Sequence, residues 1–200
     1  MKNRIESLPL VLALLFSAGL MTWIVWSQRP ATPETVAATP ETVAAMPSQV
    51  QTPAVPDRQP VDEARAAELR VAAESEPEDA QVRVDLANLY FDSHQFDDAI
   101  PWFEAALSVD PTLVDVSTDL GVAYYYINET DRSLAQFARS LEVDPTHAQT
   151  ILNLGIVRAF GKQDLEGAFE AWEEVQRVAP GSPEALAAAD ATRRLTVAHP

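Results

Sequence analysis

The chain has no cysteine anywhere in its 200 residues. Disulfides, thiolate metal sites, cysteine nucleophiles and an acylated lipoprotein anchor are all excluded by that one absence. Basic residues are scarce as well: 14 Lys and Arg face 30 Asp and Glu, for a formal net charge of −16. Residues 1–59 carry Lys2, Arg4, Arg29 and Arg58 against Glu6, Glu34, Glu41 and Asp57, so the whole excess lies on residues 60–200. That half repels polyanions, and nucleic-acid binding is excluded because it needs clustered cations to displace phosphate counterions. The three histidines are His94, His147 and His199. No serine or carboxylate stands in a recognisable sequence relation to any of them, and no metal-ligand spacing appears, so no catalytic residue, cofactor site or metal centre is expected. Adjacent acids such as Asp97 and Asp98, or Glu173 and Glu174, point apart on a helix and read as solvated faces.

What is present begins with an apolar run. "LPLVLALLFSAGLMTWIVW", residues 8–26, contains no charged residue. As a helix rising about 1.5 Å per residue it spans about 28 Å, close to a bilayer's hydrocarbon core. Pro9 falls in the first turn, and Trp23 and Trp26 sit where indoles favour the far interface. Lys2 and Arg4 precede the run and only Arg29 follows closely. The expectation is therefore a cytoplasmic N-terminus over residues 1–7, a single-pass signal-anchor over 8–26 in the inner (cytoplasmic) membrane, and the remainder on the periplasmic or extracytoplasmic side. A cleaved signal peptide, cut near Ser17 and Gly19, is the rival reading. Residues 27–60 follow as a linker. "TPETVAATPETVAA" repeats seven residues twice, but Pro33 and Pro40 would break a helix and only Val36 and Val43 are apolar beyond alanine, which rules out a coiled coil. With Pro30, Pro47, Pro53, Pro56 and Pro60 and no aromatics, the stretch reads as a disordered Pro/Ala/Thr tether.

Beyond it the chain repeats. Leu86, Tyr90, Phe103, Leu107, Asp110 and Pro111 recur 34 residues later as Leu120, Tyr124, Phe137, Leu141, Asp144 and Pro145. Within a unit the apolar residues follow helical spacing on either side of a short polar turn, so each unit is a helical hairpin. Units are expected at 80–113, 114–147 and 148–182. In the third, Trp172 and Pro180 fall one residue late, which places an inserted residue in the turn "GKQDLEG". Residues 61–79 and 183–200 read as single helices capping the ends, the second with Ser182 as N-cap and Pro183 at the first helical position.

"LGVAYYY" and "AIPWFEAALSVDP", with Leu120, Gly121, Tyr124, Ala99, Phe103, Ala106 and Pro111, resemble the tetratricopeptide repeat (TPR) family. The resemblance implies an all-α, right-handed superhelix of TPR hairpins with no enzymatic activity, whose first helices line a concave surface that holds a protein partner. Arg158 stands where Tyr90 and Tyr124 stand, Ser133 and Ser140 replace expected alanines, and Val175 is larger than usual. Carried onto this sequence, the partner-binding positions are Val84, Asn88, Phe91, Asp115, Asp119, Val122, Tyr125, Tyr126, Leu152, Ile156 and Phe160. Members that grip a C-terminal carboxylate use basic residues here, whereas the matching positions hold Val84, Asn88, Asp119, Gln149 and Asn153. The expected partner is therefore a protein or peptide with apolar anchors and basic flanks. A second copy of the chain packing on the aromatics, giving a homodimer, is the alternative. "HAQTILNLGIVRAFGKQDLEGAFEAWEEVQRVAPGSPEA" is also similar to the last repeats of periplasmic TPR proteins of bacterial c-type cytochrome biogenesis, which implies an assembly chaperone presenting apocytochrome. A structural scaffold of an envelope complex is the third reading.

Overall fold

The computed structural model describes residues 55–198; the expected anchor, and all but the end of the expected linker, lie outside the described residues. Helices account for most of what is described: α1 Glu63–Ser75, α2 Ala80–Asp92, α3 Phe96–Val109, α4 Val114–Tyr126, α5 Thr130–Val143, α6 Ala148–Val157, α7 Leu165–Val178 and α8 Pro183–Ala198. No strand occurs among the described residues, and none of their helices is long and apolar enough to cross a membrane. The chain pairs α2 with α3, α4 with α5 and α6 with α7, then packs each pair on the next, with α1 on α2 and α8 on α6 and α7. This is the expected array of three hairpins between two single helices.

Local chemistry explains the boundaries. Asp62 and Asp79 accept from the backbone N–H groups of Arg65 and Gln81 and so cap α1 and α2, while the Ser182 hydroxyl accepts from Ala185 N at the start of α8. Where the second helices of the first two units end, the "DPT" segments fold alike. Thr112 N–H donates to Asp110 Oδ1 at 2.9 Å and Thr146 N–H to Asp144 Oδ1 at 2.9 Å. Hydrogen bonds from the two threonines hold both carboxyls below the usual carboxylate range, led by the Thr112 hydroxyl at Asp110 and by the Thr146 N–H at Asp144.

The core forms two clusters. Leu86, Phe96, Phe103, Leu120 and Tyr124 belong to the first, and Ile151, Trp172, Val175, Ala188 and Leu195 to the second. Phe103, Phe137 and Trp172 are wholly buried, in the register the 34-residue period requires. Each of the two glycines that begin the third turn of a first helix lies under one of these rings. A Cβ at Gly121 would sit 2.5 Å from Phe137 Cε1, and one at Gly155 would sit 2.6 Å from Trp172 Cδ1; only hydrogen fits there. Serine at the alanine sites is accommodated by a buried polar network: Ser140 donates to Ser117 at 2.7 Å, and Gln136 donates to the same hydroxyl at 2.6 Å. Ser133 Oγ is buried without a partner. Arg158, at the third tyrosine site, donates to the Gly167 carbonyl at 3.0 Å.

Two boundaries differ from expectation. The inserted residue is not simply a longer turn, because the end of α6 continues as a π-helical segment, Arg158–Lys162. The left-handed residue that ends each first helix is His94 (φ 56°), then Asn128 (φ 64°), then Gln163 (φ 58°). The spacing is 34 residues and then 35, so the extra residue is absorbed inside the helix end, as π segments do. The tether also ends earlier than residue 60. Gln59 N–H donates to the Ser93 carbonyl at 2.8 Å, Gln95 donates back to Gln59 O at 3.0 Å, and His94 Nδ1 lies 2.9 Å from Asp57 O. Arg58 pairs with Asp97 and Asp98, so residues 57–59 are strapped to the turn of the first hairpin.

Candidate partner-binding face

The first helices α2, α4 and α6 present one side of the array. Along α4, Asp115, Asp119, Val122 and Tyr126 follow i, i+4, i+7, i+11 spacing and form a single stripe. Asp115 is exposed, and Asp119, Val122 and Tyr126 are half-buried. Ile156 and Phe160 are half-buried too and pack on the second core cluster. Asn88 is half-buried on α2.

Other expected positions are taken up by the fold itself. Val84 and Leu152 are buried, at 7% and 9% exposure, because each packs beneath the neighbouring helices rather than standing on the open side. Phe91 meets Phe96 edge-on at 5.3 Å and Phe103 at 5.8 Å. Tyr126 stacks on Phe96 with ring centres 4.5 Å apart, which joins the first hairpin to the second. Tyr125 turns toward the π segment, where a Cβ on Gly161 would stand 3.2 Å from its ring, and its hydroxyl is buried with no partner among the described residues. Burial pushes the phenols of Tyr125 and Tyr126 up.

The electrostatics of the face are one-sided. Helices α4 and α6 contain no Lys or Arg. The single arginine of α2, Arg83, donates to the carbonyls of Ala73, Glu76 and Asp79, at the join of α1 and α2. Among the described residues Asp119 has no hydrogen-bond or ion-pair partner. Its carboxyl is pushed up to about 7, first by burial and then by the neighbouring carboxylates of Asp115 and Asp92. Asp92, at the end of α2, is itself raised by burial.

His147 is not the isolated residue its sequence context suggested. Its Nε2 lies 3.0 Å from Asp115 Oδ1 and its Nδ1 2.7 Å from Thr150 Oγ1. Thr150 in turn lies 2.5 Å from the Thr118 hydroxyl. A carboxylate, an imidazole and a hydroxyl in line have the order of a catalytic triad, but Thr150 and Thr118 are both fully buried and no substrate reaches either oxygen. The chain of bonds ties α4 to the start of α6, across the seam between the second and third hairpins. Thr150→Val should therefore cost about 1–3 kcal/mol, because His147 Nδ1 loses its partner at 2.7 Å, while the Thr118 hydroxyl keeps its bond to the Val114 carbonyl at 2.9 Å. Thermal denaturation checks this, and adding Thr118→Val should cost less than the sum of the two single changes, since both break the same Thr118–Thr150 contact.

Residues 80–113, the first hairpin, match the tetratricopeptide repeat family by sequence. Solved structures superpose on a larger share of the chain. The first TPR domain of human RPAP3 is 23% identical, with a TM-score of 0.54 over 60% of this chain and 91% of its own. MamA gives 20% identity and a TM-score of 0.56 over 66% of this chain and 80% of its own. The Yersinia enterocolitica type III secretion translocator chaperone SycD gives 15% and 0.55 over 59% and 92%. These likenesses establish the TPR fold. One structure of the RPAP3 domain holds an HSP90 peptide, SRMEEVD. No curated protein matches the chain in sequence.

Proposed function

We propose that this TPR domain holds a protein partner on the face of α2, α4 and α6, and that residues 8–26 anchor it to the inner membrane with the domain on the extracytoplasmic side. The observation that carries the partner's chemistry is that no cation of the described residues on that face is free to answer its acids: α4 and α6 hold none, Lys162 pairs with Asp131 and Arg158 donates to the Gly167 carbonyl. Asp92, Asp115 and Asp119 converge there, while the only arginine of the three helices is engaged elsewhere. An acidic peptide such as the one seen on RPAP3 would meet like charge. A segment with apolar anchors and Lys or Arg beside them fits instead, its apolar groups meeting the exposed parts of Val122, Ile156 and Phe160. Fold relatives that bind peptides support the general mode.

Photo-crosslinkers at Val122 and Phe160 of the full-length chain in native membranes test this proposal. The captured peptide should carry a basic residue within a few positions of the crosslink. A captured acidic segment removes the charge argument, and capture of a second copy alone favours the homodimer. The narrower role in cytochrome maturation draws on the sequence of residues 147–185, and haem-lyase genes beside the gene are the observation that would separate it from a scaffold of an envelope complex. The anchor has its own check: after carbonate extraction the protein should remain with membranes at unprocessed mass, whereas a soluble product beginning at or beyond Leu20 removes the anchor.

A further inference from the structure

We infer that Asp119 is the seat for one cationic side chain, a lysine or arginine, of the segment that occupies this face. The inference rests on the peptide-binding reading above and narrows it to one residue and one charge. Asp119 lies midway along α4, half-buried, yet no donor reaches its carboxylate. A carboxylate that loses much of its hydration without gaining a hydrogen bond or counter-charge is destabilised, and native chains normally compensate such groups. Every other group near this face that could satisfy it is engaged. On its own helix stands Asp115, whose carboxylate faces His147 at the start of α6. From α2 come Asp92, another acid, and Asp85, which accepts from Gln81. Arg83 is turned back onto the α1–α2 join, α6 brings no cation of its own, and in the π segment that follows it Lys162 pairs with Asp131 and Arg158 donates to the Gly167 carbonyl.

What remains is a negative site with acids around it and an apolar neighbour, Val122, one turn further along the stripe. A lysine or arginine fits both features, because its aliphatic stem can lie on Val122 while its charged head meets the carboxylate. Asp92 and Asp115, closer to solvent, add to the field that draws a cation inward. The cation pairs with the ionised carboxylate only. Because Asp119 exchanges its proton near pH 7, binding is coupled to loss of one proton and should tighten as the pH rises toward that value.

A library of short random peptides, selected on the full-length chain at about pH 8 and mapped by the Val122 and Phe160 crosslinkers, supplies the probes. Face-bound peptides should share a Lys or Arg beside an apolar residue. Their affinity should fall by up to about tenfold per pH unit on acidification below pH 7 and level off above it. Asp119→Asn should bind at the weak low-pH level with a flat profile, and norleucine in place of the peptide's lysine should flatten it in the same way. His147→Gln, at the imidazole that faces Asp115, and His94→Gln, at the imidazole beside Asp92, should each leave the slope in place. A slope that survives Asp119→Asn, or face-bound peptides without a cation, overturns the inference and leaves peptide binding standing. If no selected peptide crosslinks to the face, the binding reading falls and the inference with it.

Discussion

Trp172→Ala should cost about 3–5 kcal/mol, the usual range for an aromatic lost from a closed core, and Gly155→Ala should approach it from the opposite direction. The indole is wholly buried among Ile151, Ala168, Ala171, Val175 and Ala188, and its Nε1–H donates to the Leu152 carbonyl at 3.3 Å. It fills the gap between α6 and α7 and holds them together at one point. Removing it leaves a cavity that two helices tied by short connections cannot close. Adding a methyl group at Gly155 brings a carbon to 2.6 Å from the same ring, far inside contact distance. The ring is enclosed on its other sides, so the helices must part, at about 1–3 kcal/mol or somewhat more once the Leu152 bond is broken. The two effects should not add. Gly155→Ala combined with Trp172→Phe should recover part of the loss, because the smaller ring vacates the volume the new methyl needs. Chemical denaturation of the full-length chain checks both values. In a repeat array each hairpin leans only on its neighbours, so the third hairpin and α8 should open before the first two in these variants, giving a broadened transition. An unchanged midpoint for Gly155→Ala would mean that α6 and α7 do not approach as closely as described.

The period that made this geometry legible is carried by residues whose role is local and geometric. Leu86 and Leu120, Phe103 and Phe137, and Gly121 and Gly155 recur because each hairpin solves the same packing problem, and a small residue must face a large ring each time. The hairpins and capping helices could be read from spacing for that reason. Properties that depend on what a side chain meets in space were not readable. Val84 and Leu152 have the right helical position for an open face, but the neighbouring helices cover them. Phe91 and Tyr126 meet through Phe96, a residue of another helix whose direction no spacing reveals. Residues 57–59 have the composition of a tether, and only the carbonyl of Ser93 and the side chains of His94, Gln95 and Asp97 turn them into a strap. Ser140 stands where the repeat pattern expects alanine. It is tolerated because its hydroxyl donates to Ser117 on α4, 23 residues away in sequence, at 2.7 Å. The same limit applies to the acids. Spacing puts Asp115 and Asp119 on one stripe, but it does not say that His147 answers the first and nothing answers the second.

That difference predicts an inverted pH dependence for one residue. The Asp119 carboxyl shifts from an ordinary 3.8 to about 7 on folding. Between those values the folded chain keeps a proton that the unfolded chain has released, so each rise in pH favours the unfolded state. Asp119 thus adds stability that is fully present below pH 3.8 and is lost as the pH rises through about 7. At about 1.4 kcal/mol per pH unit, reduced because the residue is only half-buried, the total is on the order of 2–4 kcal/mol. Other carboxyls work the opposite way. Asp110, Asp144 and Glu174 are held low by hydrogen bonds, from Thr112, Thr146 and Arg177 in turn, and favour folding as the pH rises through the acid range. The contribution of Asp119 must therefore be read as a difference. Asp119→Asn keeps the shape without the charge, so its melting temperature should match the parent's at about pH 4 and exceed it increasingly up to about pH 8, by several degrees for a domain of this size. A cation seated on the carboxylate should remove the penalty, so peptide binding should stabilise the parent more at pH 8 than at pH 5 and the asparagine variant equally little at both. A constant difference in melting temperature between parent and variant across that range would mean that Asp119 is solvated like any surface acid, and the site proposed around it would lose its basis.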